Sequence, residues 1–283
     1  MKNVIFVIVS IFVVGSILYS CRKSYDPGDW SELPEYPIDE YDGPTKTLKV
    51  MSINMNLGST AANFPTMVNV IKAYNPDLLL LRQCDSKTTR ASGIDRPQVI
   101  ADELGLNLFM KGRSYQSGQF GNAVLSKFPI TETLGLDLTK GSGGEQRMLA
   151  MIKVEVEDGV FMYFAGTELE TIADDRRPQA IDIIRATQDL EEPVILVGNF
   201  NEQERAPGAA LEYLKGSFTF ACPATGCAFN SPKTAPANTT DYITYQDPDE
   251  LLLLDKNAAT FTQPESPNNF FPVVAEFRIK LQE

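Results

Sequence analysis

The sequence contains no histidine, which leaves carboxylates, amides, guanidiniums, amines, hydroxyls and thiols as its functional side chains. Without imidazole there can be no Ser-His-Asp or Cys-His nucleophile system, and no three-histidine zinc site. There is also no imidazole to act as acid and base near neutrality. Of the four cysteines, Cys222 and Cys227 bracket a short Pro/Gly loop and are spaced to close as a disulfide, which suits an oxidising compartment. A single Cys-x4-Cys pair with no second pair and no histidine is not a zinc site. Cys84 follows an apolar strand and reads as a buried thiol. Gly141-Ser142-Gly143-Gly144 lacks the Lys-Ser/Thr of a phosphate-cradling loop and reads as a flexible turn. Arg176-Arg177 reads as a cap or decoration at a helix start. Tyr115 and Phe120 are aromatics beside a strand that either pack or line a cleft.

The elements that must position these groups sit in an ordinary globular composition. The chain has 283 residues, 22% charged and 43% hydrophobic, which excludes disorder, collagen and a polytopic membrane protein. Its 25 Lys+Arg against 37 Asp+Glu leave a net charge of −12, so nucleic acid is an unexpected partner. After the basic start of Met1-Lys2-Asn3, the apolar run Val4 to Tyr19 suits a signal-peptide core. Its close, Leu18-Tyr19-Ser20-Cys21, resembles a bacterial lipoprotein box, with Cys21 as the lipidated residue; an uncleaved membrane anchor is the alternative. Either places the domain outside the cytoplasm, in the bacterial cell envelope, periplasmic or surface-exposed. Residues 22–45 hold four prolines and seven acids against Arg22 and Lys23, an extended acidic linker. The expected organisation is a signal segment over 1–21, a linker over 22–45 and one domain over 46–283.

Within that domain, strands alternate with a few helices. Leu48 to Asn54 reads as a strand. Phe64, Met67, Val68, Ile71 and Tyr74 form one helical stripe, stopped by Asn75-Pro76-Asp77. Leu78 to Leu81 is apolar throughout, as in a strand covered on both faces. A second helix spans Asp95 to Leu104 and ends at Gly105. Strands follow at 107–110, 121–125, 148–157 and 160–167. Asp174-Asp175 opens a helix from Arg176 to Leu190, and strands at 194–197, 241–245 and 272–280 complete the pattern.

Seven segments of residues 47–280, in order, carry a family likeness. They are Leu48 to Gly58 with Asn54 and Asn56, Asn75-Pro76-Asp77 to Gln83-Cys84-Asp85, and Gly121-Asn122-Ala123 to Lys127. Then come Ala165-Gly166-Thr167-Glu168-Leu169-Glu170, Gly198-Asn199-Phe200-Asn201, Asp241-Tyr242-Ile243, and Asn268-Asn269-Phe270 to Val274. Together they resemble the endonuclease/exonuclease/phosphatase superfamily, the DNase I-like metal-dependent phosphoesterases. The resemblance implies an α/β (α+β) fold, a four-layer α-β-β-α sandwich with its site at one edge of two packed sheets. Glu145-Gln146-Arg147 resembles a family Glu-x-Arg segment expected to form an internal ion pair.

The same resemblance implies that the reactive residues are gone. The metal-binding Glu is Gln83, the water-activating Asp is Asn199, the Asp of Ser-Asp-His is Asn269 and its His is Phe270. Asn56 and Glu168 stand at other histidine positions. Asn54, Asn122, Asn201 and Asp241 survive as orienting groups. Phosphodiester hydrolysis needs a hard cation on anionic ligands and a base for water, so the expectation is a pseudoenzyme without a cofactor. Its retained polar cleft would suit an uncharged glycan, or its amides would only keep the fold stable. The domain would otherwise serve an envelope-protein partner as a monomer held to the membrane by its lipid. The alternative is a Mg²⁺- or Mn²⁺-dependent phosphodiesterase or phosphatase with a relocated site drawing on Glu168, Glu170, Asp85 or Asp241.

Overall fold

The apolar runs become twelve strands and four helices among the residues that the computed structural model describes, 41–56, 62–263 and 265–281. The N-terminal segment with Cys21, residues 22–40 of the linker and Leu57-Gly58 lie outside the described residues. In chain order the elements are β1 (Thr45–Asn54), α1 (Phe64–Tyr74), β2 (Leu78–Ser86), α2 (Arg96–Leu104), β3 (Asn107–Tyr115) and β4 (Gly118–Ser126). Next come β5 (Ile130–Asp137), β6 (Met148–Glu157), β7 (Val160–Glu168), α3 (Ala173–Thr187) and β8 (Val194–Asn199). The last are α4 (Ala209–Lys215), β9 (Thr219–Phe220), β10 (Asp241–Gln246), β11 (Leu252–Thr260) and β12 (Val273–Lys280).

The strands form two six-stranded sheets, ordered β11-β12-β1-β2-β4-β3 and β5-β6-β7-β8-β10-β9. Each sheet is antiparallel except for one pair, β1–β2 in the first and β7–β8 in the second. A parallel pair needs a crossover, and α1 and α3 supply it. The carboxyl ends of both parallel pairs reach one edge of the sandwich, where open α/β sheets commonly place ligands.

Three apolar layers hold the sandwich together. The middle one lies between the sheets and joins Leu48, Val50, Leu80 and Val124 to Ile152, Phe164, Ile195 and Ile243. An outer layer packs α1 and α2 on the first sheet through Met67, Ile71 and Ile100, with Ile53 and Leu81 beneath. The other packs α3 and α4 on the second sheet through Ala180, Ile183, Leu211 and Leu214, with Leu149 and Leu196 beneath. Burying each such Leu, Ile, Val, Met or Phe side chain stabilises the fold by about 1.5–3 kcal/mol. The sheets approach closely at Gly166, where an added Cβ would strike Leu80 and Val124. The layering is the α-β-β-α sandwich expected from the sequence.

Two expectations change. The third helix begins at Ala173 rather than Arg176 and ends at Thr187 rather than Leu190. Asp174 and Asp175 lie in its first turn, where the positive end of the helix dipole favours them. Leu190 instead closes a turn onto the Thr187 carbonyl. The glycine turn at 141–144 packs against α3, and a Cβ on Gly141 would meet the Asp175 carboxylate. The strands β5, β9 and β11 and the helix α4 are additions.

Candidate active-site edge

At the edge where the parallel pairs end, the inter-sheet core gives way to two facing rows of polar residues. On the second sheet the row is Glu168, Asn199 and Asp241, neighbours in register across β7, β8 and β10. Alternation fixes their direction: Phe164, Val197 and Ile243 belong to the inter-sheet layer, and the residues an even number of steps away share that face. On the first sheet Asn54 pairs in register with Arg82, and Asn122 lies on the same face as Val124.

A bulge shapes the first row. One extra residue in β2 shifts the β2–β4 register between Leu81 and Cys84, and Gln83 takes the left-handed conformation at φ 52°. Regular pleating would turn Arg82 and Gln83 to opposite faces; the bulge turns both toward Glu168. A non-glycine residue at positive φ stores strain and marks a site whose surroundings impose it.

Guanidiniums knit the rows together. Arg82, 2% exposed, reaches across the sheets, donating to Glu168 Oε2 at 3.2 Å and pairing with Asp241 on the other side of Asn199. Gln83 Nε2 donates to Glu168 Oε1 at 2.6 Å. Arg147, just before β6, donates to Glu168 at 3.1 Å and to Glu170 at 3.1 Å. Asn199 Nδ2 donates to Thr240 Oγ1 at 3.3 Å and to Asp241 Oδ2 at 3.4 Å, and Asn230 also donates to Asp241. Burial, larger than the opposing pull of Arg82 and Asn230, holds the Asp241 carboxyl above its ordinary range. Burial also pushes Glu170 up, yet the bonds from Arg147, Thr171 and the Glu145 N–H bring it down to about 2. Burial alone would lower the Arg147 guanidinium, but Glu168 and Glu170 outweigh it and raise it.

Among the expected site residues, Asn54, Gln83, Glu168, Asn199 and Asp241 come together in these rows. The other surviving amides serve the backbone: Asn122 donates to the Met148 carbonyl at 3.1 Å and Asn201 to the Leu169 carbonyl at 2.7 Å. The Asn56 N–H donates to Asn54 Oδ1 at 2.8 Å, and Asn56 itself is exposed. Asn269 is exposed and Phe270 half-buried, while the buried member of that segment is Asn268, which donates to the Asn54 carbonyl. Glu145 pairs with Arg113 at 3.2 Å rather than with Arg147. Arg176 bonds Glu202 and the carbonyls of Glu170 and Thr171, tying loops together at this edge. Cys222 and Cys227 are bonded to each other, and Cys84 is buried. Sequence reasoning missed Arg82 and Asn230. The only signal for Arg82 was a charged residue closing the apolar run Leu78 to Leu81.

The superfamily resemblance implies a divalent cation, and this donor set does not fit one. Glu168 and Asp241 are already bridged by Arg82, and Gln83 turns its donor nitrogen, not an anionic oxygen, into the site. Asp85 Oδ1 is taken by Thr88 at 2.8 Å and Arg90 at 2.9 Å, and Glu170 by Arg147. No three acids or thiols converge as a metal cage among the described residues.

Solved structures with this fold are numerous. An endonuclease/exonuclease/phosphatase family protein from Bacteroides thetaiotaomicron is 17% identical, with a TM-score of 0.67 over 84% of this chain and 100% of that one. The catalytic domain of human Nocturnin is 18% identical, with a TM-score of 0.67 over 83% and 97%. A mannosyl-6-phosphatase of Bacteroides thetaiotaomicron is 17% identical, with a TM-score of 0.61 over 81% and 99%. At these identities the likeness is one of fold, the DNase I-like sandwich. No curated protein matches the sequence. The sequence signature of the endonuclease/exonuclease/phosphatase family matches residues 51–250, most of the sandwich. With the two-sheet architecture and the motif residues gathered at one edge, this match shows that the chain belongs to the endonuclease/exonuclease/phosphatase family.

Proposed function

We propose that this chain is a lipid-anchored cell-envelope protein whose family domain no longer hydrolyses phosphate esters and acts as a binding or structural module. The observation that carries the reading is Arg82. Its guanidinium supplies, between Glu168 and Asp241, the positive charge that a bound cation would otherwise bring. A metal entering there would have to displace a buried guanidinium and leave it unpaired, at a cost of about 3–5 kcal/mol. Loss of a general base alone typically slows such chemistry ~10²–10⁴-fold, and Asn199 cannot accept a proton near neutrality. The envelope location rests on the N-terminal residues alone, the basic start, the apolar run and Cys21. Among the described residues no helix is long and apolar enough to cross a membrane.

Thermal melting of the full-length chain with and without millimolar Mg²⁺, Mn²⁺ or Ca²⁺ tests the loss of the metal, since specific binding to the folded state must raise the midpoint. The expected result is no shift, and no hydrolysis of bis(p-nitrophenyl) phosphate above the buffer rate. A saturable rise accompanied by metal-dependent hydrolysis, both abolished by Glu168→Gln, would establish the rearranged phosphodiesterase instead.

A further inference from the structure

We infer that the loops beyond the second sheet form a pocket, built around Arg205 and Phe229, for a small monoanionic organic carboxylate. The pocket shares no residue with the two rows at the site edge, so the inference goes beyond the reading above.

The pocket has room. An open cavity of about 220 Å³ lies between the β8–α4 loop and the loop closed by the Cys222–Cys227 disulfide. One water needs roughly 10–15 Å³, so a ligand of several heavy atoms has space. The first loop contributes Gln203, Glu204 and Arg205 to the lining, the second residues 224–227, with Phe229 just beyond. Hydrogen bonds hold the walls to each other. The Cys227 N–H donates to Glu204 Oε2 at 2.9 Å, and Gln203 Nε2 donates to Asn238 Oδ1 at 2.9 Å. Within the disulfide loop the Gly226 N–H donates to the Pro223 carbonyl at 2.9 Å. Thr239 Oγ1 donates to the Ala228 carbonyl at 2.8 Å and so fixes the chain leading into Phe229. The shape therefore exists before any ligand arrives, which lowers the ordering cost of binding.

Charge selects the ligand class. Acids outnumber Lys+Arg by 37 to 25 in this chain, yet none among the described residues pairs with Arg205. The two acids nearest to it in sequence are committed elsewhere. Glu202 binds Arg176 at 2.9 Å, and Glu204 binds Lys215 at 3.3 Å as well as the Cys227 N–H. The Arg205 guanidinium lies instead on the Phe229 ring, 4.4 Å from its centroid. Stacking occupies one face of the guanidinium plane and leaves the N–H groups at its edge free to donate. One planar fork carrying one unmatched charge fits one carboxylate, held by two parallel hydrogen bonds. A phosphate monoester would bring nearly twice that charge. It would meet the Glu204 carboxylate, and Lys215, the other cation nearby, is already engaged. A neutral ligand would leave the guanidinium unmatched. Phe229, Ala224 and the disulfide offer the body of the acid an apolar surface.

Fluorine NMR of para-fluorobenzoate, added at millimolar concentration to the full-length chain in EDTA, tests this. Saturable line broadening is expected. para-Fluorobenzamide, of the same shape without the charge, and para-fluorophenyl phosphate should each bind at least about tenfold more weakly. Arg205→Gln should weaken the carboxylate at least about tenfold, and Arg205→Lys, which keeps the charge without the fork, should recover only part of it. The control is Arg185→Gln, an exposed guanidinium on α3 outside the pocket, which should change nothing. Arg205 is exposed, so the melting midpoints of its variants should stay near the parent's. No saturable binding of para-fluorobenzoate overturns the inference. So does binding undiminished in Arg205→Gln, equal binding of the amide, or tighter binding of the phosphate. Because EDTA removes any metal, these failures are distinct from a failure of the non-hydrolytic reading, which shows only as metal-dependent melting and turnover.

Discussion

Gln83 and Asn199 are amides because of what stands beside them. Asn199 lies in register between Glu168 and Asp241, and a third carboxylate there would set three like charges in one cross-strand row. Gln83 donates to Glu168 at 2.6 Å; a carboxylate in its place would offer repulsion where a hydrogen bond now is. The side chains at 83 and 168 are thus coupled, one donating and the other accepting. Gln83→Glu is expected to destabilise by about 1–3 kcal/mol, and adding Glu168→Gln should recover most of it, a coupling read from urea unfolding. If the double variant is as unstable as the sum of the singles, the pair does not act as a unit. Most of the participating residues were visible as motif positions, but their new roles were not. Arg82 acts on partners from the second sheet, one of them 86 residues away, and only the folded sheets show which acids its side chain meets.

Among elements, the segment that leads into β6 is held in large part by one acid just beyond the end of β7. Glu170 accepts from Arg147, from the Glu145 N–H at 2.7 Å and from the Thr171 N–H at 2.7 Å, so it pins that segment to the start of the α3 crossover. Its carboxyl titrates at about 2 in the folded chain against about 4.3 when unfolded. A depressed carboxylate lends stability that is fully present above the unfolded value and is lost as the pH falls toward 2. Urea midpoints should therefore drop between about pH 4.3 and 2, and Arg147→Met should flatten much of that slope; an unchanged slope would assign the acid sensitivity elsewhere. Strands with covered faces were legible, because their apolar runs repeat every residue or every second one. β5 was not, since six of its eight residues are exposed and its pattern is mixed. β11 was hidden by register shifts at Leu254 and Lys256 and by its polar middle. α4, at seven residues, is too short to show a stripe.

For the whole molecule, charge and a lipid at Cys21 would act in opposite directions. A chain of net charge −12 with an acidic, proline-rich segment ahead of the domain is repelled by an anionic membrane surface. A lipid on Cys21 would then hold the domain near that surface without letting it lie flat. Labelled palmitate should enter the full-length chain in bacterial cells and be absent from Cys21→Ser; a parent chain that stays with the membrane but takes up no label would argue for the uncleaved anchor. The sandwich itself asks nothing of that location. Its buried counter-charge, Arg82, is made with the polypeptide, one guanidinium for the two acids it bridges. It cannot be diluted away, outcompeted or starved. A domain that needs no mineral supply would leave the ribosome with its edge already balanced.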